Sequence, residues 1–148
     1  MGCIVRVFLR SVLPVSILGA IAVAVVIGCS TSSADAPSPA LIQLGVATYQ
    51  ESCVSCHGDP VTGEGRVEGF ALAPIHGPGG HTWHHADGQL LDLIQGRITY
   101  PDRIMPKFGG LLPDADVLAV LEFLKLGWTD RQRESQREVS VNWERLSE

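Results

Sequence analysis

Apolar residues recur at helical spacing in three segments of the chain, and no segment has the alternation typical of a strand. The first predicted helix runs from Ala40 to about Cys53, the second from Asp87 to Gly96, and the third begins after Pro113. The apolar pattern consists of Leu41, Leu44, Gly45 and Tyr49 in the first, Leu90, Leu91 and Ile94 in the second, and Val117, Val120, Leu121, Leu124 and Trp128 in the third. It predicts an all-α domain.

Acidic residues and a glycine mark the ends of these helices. Asp87 and Asp114 stand where a carboxylate can cap free amide groups, so we predict them to be N-cap residues. Gly96 is predicted to end the second helix, since glycine adopts the left-handed conformation of a C-cap. Asp116 is favourable to the dipole of the third helix.

A continuous apolar run precedes these periodic segments. Arg6 and Arg10 come before apolar or small residues from Val12 to Ile27, an order typical of an export signal. The run ends at Cys29, which is followed by small polar residues, and this resembles a bacterial lipobox. We therefore predict a lipoprotein signal peptide at 1–28 and a lipid on Cys29. An ordinary cleaved signal or an uncleaved anchor is the alternative.

The remaining chain divides into three parts. Residues 29–39 include a polar, proline-rich stretch that predicts a flexible tether. A folded domain is predicted at 40–128, and a charged C-terminal tail at 129–148. The tail either continues as a solvated helix, with Val139, Val141 and Trp143 docking, or binds a partner. Export would place the domain on the periplasmic or extracytoplasmic side of a bacterial membrane, where thioether chemistry is permitted.

Composition narrows the classes of partner. The 148 residues carry a formal net charge of −5, and they contain no lysine or arginine cluster, which argues against a nucleic-acid surface. Cleavage before Cys29 would remove two arginines and no acidic residue. The acidic surface that results predicts docking to a basic patch on a partner.

The segment Cys53-Val54-Ser55-Cys56-His57 contains the most specific motif of the chain. C-x-x-C-H is the attachment signature of c-type haem. Two thiols one helical turn apart can each add to a porphyrin vinyl group, and the histidine that follows can ligate the iron. A thioredoxin-like site expects a βαβ setting, and a structural zinc site expects four ligands. The sequence indicates neither.

From Leu41 to about Trp128 the chain resembles the class I c-type cytochromes, a family of small monohaem proteins. The resemblance rests on Gly45, Tyr49 and the C-x-x-C-H-G segment, on Met105-Pro106-x-Phe108-Gly109, and on the final amphipathic helix. It implies about three to five helices wrapped around one covalently bound haem c. It also implies that the first and last helices cross, with Gly45 allowing close approach and Tyr49 packing near Phe123.

Met105 is the candidate for the sixth iron ligand. It is the only methionine besides Met1, and Pro101 and Pro106 keep the residues before them out of the helical region. A loop of this kind can lay a thioether on the haem face opposite His57, and the resemblance favours this position. A sulfur ligand raises the potential, as suits an electron carrier. The rival ligands are His76, His81, His84 and His85.

Two further haem-binding residues follow from the resemblance alone. Pro74 matches the family position whose carbonyl accepts the ring N–H of the proximal histidine, with a plain loop proline as the alternative. Trp83 matches a residue that donates its ring N–H to a haem propionate, with a core aromatic as the alternative.

Together these observations predict a membrane-tethered monohaem cytochrome that shuttles single electrons between redox partner proteins. Because both axial positions of the iron would be occupied, we do not expect an enzyme. The alternative function is a haem-based ligand sensor or a copper-handling protein that uses His81, His84 and His85, since imidazoles suit copper. These three positions do not share one face at simple helix or strand spacing. A subunit of a larger respiratory assembly is a third possibility.

Overall fold

The computed structural model describes residues 36–69 and 73–147, and its helices belong to one compact unit, Pro37–Glu148. Five α-helices occur in these residues: α1 (Pro39–Ser52), α2 (Val54–His57), α3 (Asp87–Gln95), α4 (Asp114–Lys125) and α5 (Asp130–Ser147). A short 3-10 helix spans Thr82–His84, and the described residues contain no strand. The all-α prediction is confirmed. The predicted signal peptide, the predicted lipid site Cys29 and most of the predicted tether lie outside the described residues.

The first and fourth helices cross at Gly45. A Cβ atom at this position would lie 2.1 Å from the carbonyl oxygen of Ala119, so only glycine allows so close an approach. Tyr49, one turn further along α1, is fully buried, and its ring meets that of Phe123 edge-on at 5.6 Å. The predicted crossing is confirmed.

The hydrophobic core lies along this crossing and extends to α3. Its buried members are Tyr49, Leu90, Val120, Leu121 and Leu124. Trp128, just beyond α4, is also buried, as its place in the apolar pattern predicted. Leu44 is different, because the inward face of α1 is centred on Gly45, Thr48 and Tyr49, and Leu44 at its edge stays exposed.

The two predicted acidic N-caps are wrong by one residue. Ala86 and Pro113 occupy the N-cap positions of α3 and α4, and neither Asp87 nor Asp114 bonds its own helix as a cap. Each carboxylate instead accepts hydrogen bonds from side chains of other segments. The Lys125 ammonium donates to Asp87 at 2.6 Å, and the Arg97 guanidinium donates to Asp114 at 2.6 Å. By contrast, Asp116 lies in the first turn of α4, and Gly96 ends α3 in the left-handed conformation with φ +76°, both as predicted.

Helix α5 docks through polar side chains. Gln136 is 2% exposed, and its amide donates to the Asp87 carboxylate at 2.7 Å and to the hydroxyl of Ser140 at 3.0 Å. That hydroxyl in turn accepts the backbone N–H of Asp87 at 3.0 Å. The Trp143 indole packs against Gly88, whereas Val141 stays exposed. The segment therefore forms a helix that packs on α3, in which Trp143 docks as expected and Val141 does not. Binding of a partner by this segment stays a prediction.

Within the part of the chain that the structure describes, no helix is both long enough and apolar enough to cross a membrane.

Candidate cofactor site

The C-x-x-C-H motif forms a helical turn of its own at the end of α1. Cys53 leaves the helical conformation with φ −120°, and α2 begins at the next residue. The backbone N–H of His57 donates to the carbonyl of Cys53 at 3.0 Å, which closes the turn. Gly58 then ends α2 with φ +67°, where a side chain would meet the backbone of Gly63 and Glu64. The two cysteines and the histidine therefore share one short, tightly turned element.

The His57 ring is buried and held by one directed hydrogen bond. Its Nδ1 lies 2.9 Å from the carbonyl oxygen of Pro74. Because a carbonyl only accepts, Nδ1 carries the proton, and Nε2 keeps a free lone pair suited to a metal. No group among the described residues bonds Nε2. This is the contact that the resemblance implied for Pro74.

Two side chains of the core support the same region. The hydroxyl of Tyr49 donates to the carbonyl of Gly58 at 2.9 Å, and this ties the end of the motif to the α1–α4 crossing. Burial, together with the nearby Cys53, raises the pKa of Tyr49, so the phenol stays protonated and keeps donating. Cys53 packs at the edge of the core, and burial raises the pKa of its thiol to about 11. Cys53 and Cys56 are both free thiols.

His76 links the His57 region to Thr82 and Trp128, a role that the sequence did not indicate. Its ring lies 4.5 Å from that of His57 with the planes tilted by 32°, which leaves no room for an iron atom between them. It is therefore not suited to the position opposite His57, for which it was considered. Its Nδ1 bonds the hydroxyl of Thr82 at 2.8 Å, and its carbonyl accepts the indole N–H of Trp128 at 2.6 Å. Burial, with His57 and Arg66 nearby, lowers the pKa of His76 to about 3, so the ring is neutral.

Met105 lies in an irregular segment between α3 and α4. Arg103 donates to its carbonyl at 2.7 Å, and the N–H of Phe108 donates to the carbonyl of Ile94 near the end of α3 at 3.1 Å. The segment is thus attached to the C-terminal end of α3. Among the described residues, no hydrogen bond or ring contact joins Met105 to the His57 group.

Trp83 lies in the short 3-10 helix. Its indole N–H donates to the carbonyl of Gly80 at 3.1 Å, so the structure gives this donor a partner within the chain. The indole ring stacks on His84 with 3.5 Å between ring centroids.

The 3-10 turn also brings the three neighbouring histidines together. The His81 ring lies 4.4 Å from that of His84 and 5.1 Å from that of His85, so the residues meet although helix or strand spacing would separate them. His81 stacks on His84 and meets His85 edge-on. The described residues contain no group of three or more side chains that could hold a metal. His85 instead bonds Gln89 at 3.2 Å.

The residues present fit a covalently bound haem. The motif offers two reduced thiols on one turn and an imidazole whose free nitrogen suits iron. Large apolar side chains also stay exposed in the irregular segments that join the helices, and exposed apolar surface of this kind is typical of a binding site. They include Ile104 at 77% and Leu111 at 74%, with Tyr100, Val67 and Val61.

An all-helical domain with this turn defines a class I c-type cytochrome, which carries one covalently attached haem c. The family model described as cytochrome c oxidase, cbb3-type, subunit III matches residues 40–124, more than half of the chain, and the chain belongs to this family. A cytochrome c domain of this kind transfers electrons through its haem and acts with redox partner proteins. No curated protein and no solved structure matches the chain.

Proposed function

We propose that the protein is a membrane-tethered carrier of single electrons, in which Cys53 and Cys56 hold the haem and His57 and Met105 ligate its iron. The observation that carries the proposal is the hydrogen bond between His57 Nδ1 and the Pro74 carbonyl. It fixes the tautomer of a buried imidazole and leaves Nε2 as the ligating atom.

The chain's contribution is to hold its ligands in place. The bound haem supplies one-electron redox chemistry at its iron. Pro74 orients His57 and increases its basicity, while Tyr49 holds the backbone after the motif through Gly58. Trp83 is assigned to the propionate edge by family resemblance, and in that role its N–H would exchange the Gly80 carbonyl for a carboxylate.

Met105 is supported as sixth ligand by its chemistry and by the anchoring of its loop. It is the only methionine of the predicted mature chain, and a thioether suits a carrier because it favours reduced iron. The loop that contains Met105 is bonded to the C-terminal end of α3 through Phe108 and Ile94. Ile94 packs against the core that also supports the haem-binding motif.

Optical spectroscopy of the matured protein tests this ligation. A sulfur-to-iron charge-transfer band should be present in the oxidised protein and absent in Met105→Ala. Lys107→Gln is the matched control, since it changes another side chain of the same loop and leaves the sulfur in place. A band that is missing from the wild type, or that persists in Met105→Ala, would assign the sixth position to another residue.

The tether is proposed from the lipobox-like sequence at Cys29, and it places the domain on the periplasmic or extracytoplasmic side of a bacterial membrane. Intact mass of protein extracted from membranes should show an acylated N-terminal Cys29. Cys29→Ser should abolish acylation, whereas Cys3→Ser, within the predicted signal peptide, should leave it unchanged. An unmodified N-terminus beyond Cys29 contradicts the tether.

The partners proposed are redox proteins with a basic docking patch. The name of the matched family, a subunit of a cbb3-type cytochrome c oxidase, favours a partner within a respiratory assembly. A carrier with both axial positions occupied should not bind CO when reduced, whereas a ligand sensor should. CO binding therefore separates the carrier from the sensor.

A further inference from the structure

Arg103 makes an unusual set of hydrogen bonds in the Met105 loop. Its Nε donates to the carbonyl of Met105, one terminal nitrogen donates to the carbonyl of Leu93, and the other donates to that of Pro106, each at 2.7 Å. One planar guanidinium thereby joins both residues of the Met-Pro pair to helix α3. A guanidinium offers five donors in a rigid fork, which a flexible ammonium does not reproduce.

The loop has few other means of holding its shape. Residues 104–107 form no backbone–backbone hydrogen bond within the described part of the chain. Pro106 has no N–H to donate, and it keeps Met105 out of the helical conformation. The Arg103 side chain therefore supplies the bonds that backbone pairing would supply in a helix or strand.

The charge of Arg103 is not used for an ion pair. Among the described residues, its side chain bonds three neutral carbonyls, whereas Arg97 pairs with Asp92 and Asp114. Hydrogen bonds from a charged donor are stronger than those between neutral groups. Two of them bind the loop and the third binds α3, so together they fix the loop against the helix without neutralising a charge.

We propose that Arg103 is a positioning residue for the sixth ligand and holds the Met105 thioether on the iron. This inference rests on the proposed function of Met105. It assigns to Arg103 the task of keeping the sulfur bound when another ligand competes for the iron. Without Arg103, the loop can move away from α3 and an external ligand can replace the sulfur more easily.

Imidazole binding to the oxidised protein measures this competition. Arg103→Gln removes the guanidinium fork. Because the loss of one charge-assisted hydrogen bond already weakens the positioning of the Met105 sulfur by about tenfold or more, the affinity of the iron for imidazole should rise at least about tenfold. The charge-transfer band should weaken in parallel. Arg103→Lys keeps the charge but cannot reach three carbonyls, so its affinity should also rise, by a smaller factor.

Lys107→Gln is the matched control. It removes one positive charge from the same loop, and the Lys107 ammonium forms no hydrogen bond or ion pair among the described residues. Glutamine also keeps the Cβ and Cγ methylene groups that pack on Gly96. The imidazole affinity of Lys107→Gln should equal that of the wild type.

Two results overturn the proposal. The first is an Arg103→Gln protein whose imidazole affinity and charge-transfer band equal those of the wild type. If Arg103→Gln does not mature, the same result in Arg103→Lys overturns the proposal. The second is an equal rise in Lys107→Gln, which would assign the effect to charge. Met105→Ala separates this failure from that of the proposed function: if its band and imidazole affinity equal those of the wild type, Met105 is not the ligand.

Discussion

The crossing at Gly45 allows a stability change to be worked from distances. In Gly45→Ala the new methyl group would lie 2.1 Å from the carbonyl oxygen of Ala119 and 2.9 Å from the Cβ of Phe123. The nearest atom belongs to the backbone of α4, so no rotamer change can relieve the contact. Helix α1 must move away by about 1 Å, and a gap of this size forfeits a quarter to a half of the dispersion attraction across the interface.

Two opposing terms set the size of the effect. Overpacking of a well-packed core costs typically about 1–3 kcal/mol, and a clash with backbone belongs at the upper end. Alanine is favoured over glycine inside a helix by about 1 kcal/mol. The free energy of unfolding should therefore fall by about 2 kcal/mol. The same movement separates Tyr49 from Phe123 of α4. Because Tyr49 holds the backbone after the motif through Gly58, the environment of His57 should change as well.

Denaturant unfolding of the haem-loaded protein, followed by haem absorbance and by circular dichroism, measures this loss. Gly79→Ala is the control, because nothing lies within 4 Å of its Cβ position and its φ is not in the left-handed region. Its stability should stay within about 0.5 kcal/mol of the wild type. A Gly45→Ala protein as stable as the control would refute the close crossing.

Three other predictions concern α5, a loop carboxylate and the docking surface. Gln136→Leu leaves the Asp87 carboxylate and the Ser140 hydroxyl without a buried partner, so the free energy of unfolding should fall by about 1–3 kcal/mol. Amide hydrogen exchange throughout α5 should become faster. Gln43→Leu, on the exposed face of α1, is the control and should leave both quantities unchanged. Hydrogen bonds from the backbone N–H groups of Thr62 and Val61 lower the pKa of Asp59 below its usual value. The stability that this carboxylate contributes is therefore complete above the unfolded pKa of about 3.9. It is lost as the pH falls through the lower pKa of the folded state. NMR titration checks this sign, and an Asp59 that titrates at or above the usual value contradicts it. Electron transfer to a basic partner should slow as salt rises, because salt screens the attraction to this acidic chain; a rate independent of salt would contradict the docking prediction.

Periodic apolar residues and the motif allowed much of the fold to be predicted. Gly45, Tyr49 and the buried face of α4 follow from helical spacing and from the resemblance, since close packing restricts which residues a crossing accepts. Residue type at the helix starts did not identify the N-caps. An aspartate suited to capping is equally suited to a cation or amide from another element, and in the folded chain Asp87 binds Lys125 and Gln136.

The supporting contacts of the site were harder to predict. His76 and Arg103 lie in irregular segments, where partners depend on the tertiary path of the chain and not on a local period. Arg103 bonds carbonyl groups, which every residue has, so the sequence contains no signal for these partners. The docking of α5 was also left open, because its buried face includes Gln136 and Ser140, and hydropathy cannot distinguish such a face from a solvated one.

The most direct test of the central claim is a potentiometric titration of the matured wild-type protein, followed optically and repeated under CO. We predict one reversible one-electron transition of a haem c, at a potential that CO does not change. A transition that is not a one-electron step, or one that CO shifts to a higher potential by binding the reduced iron, would contradict a carrier whose two axial positions are held by the chain.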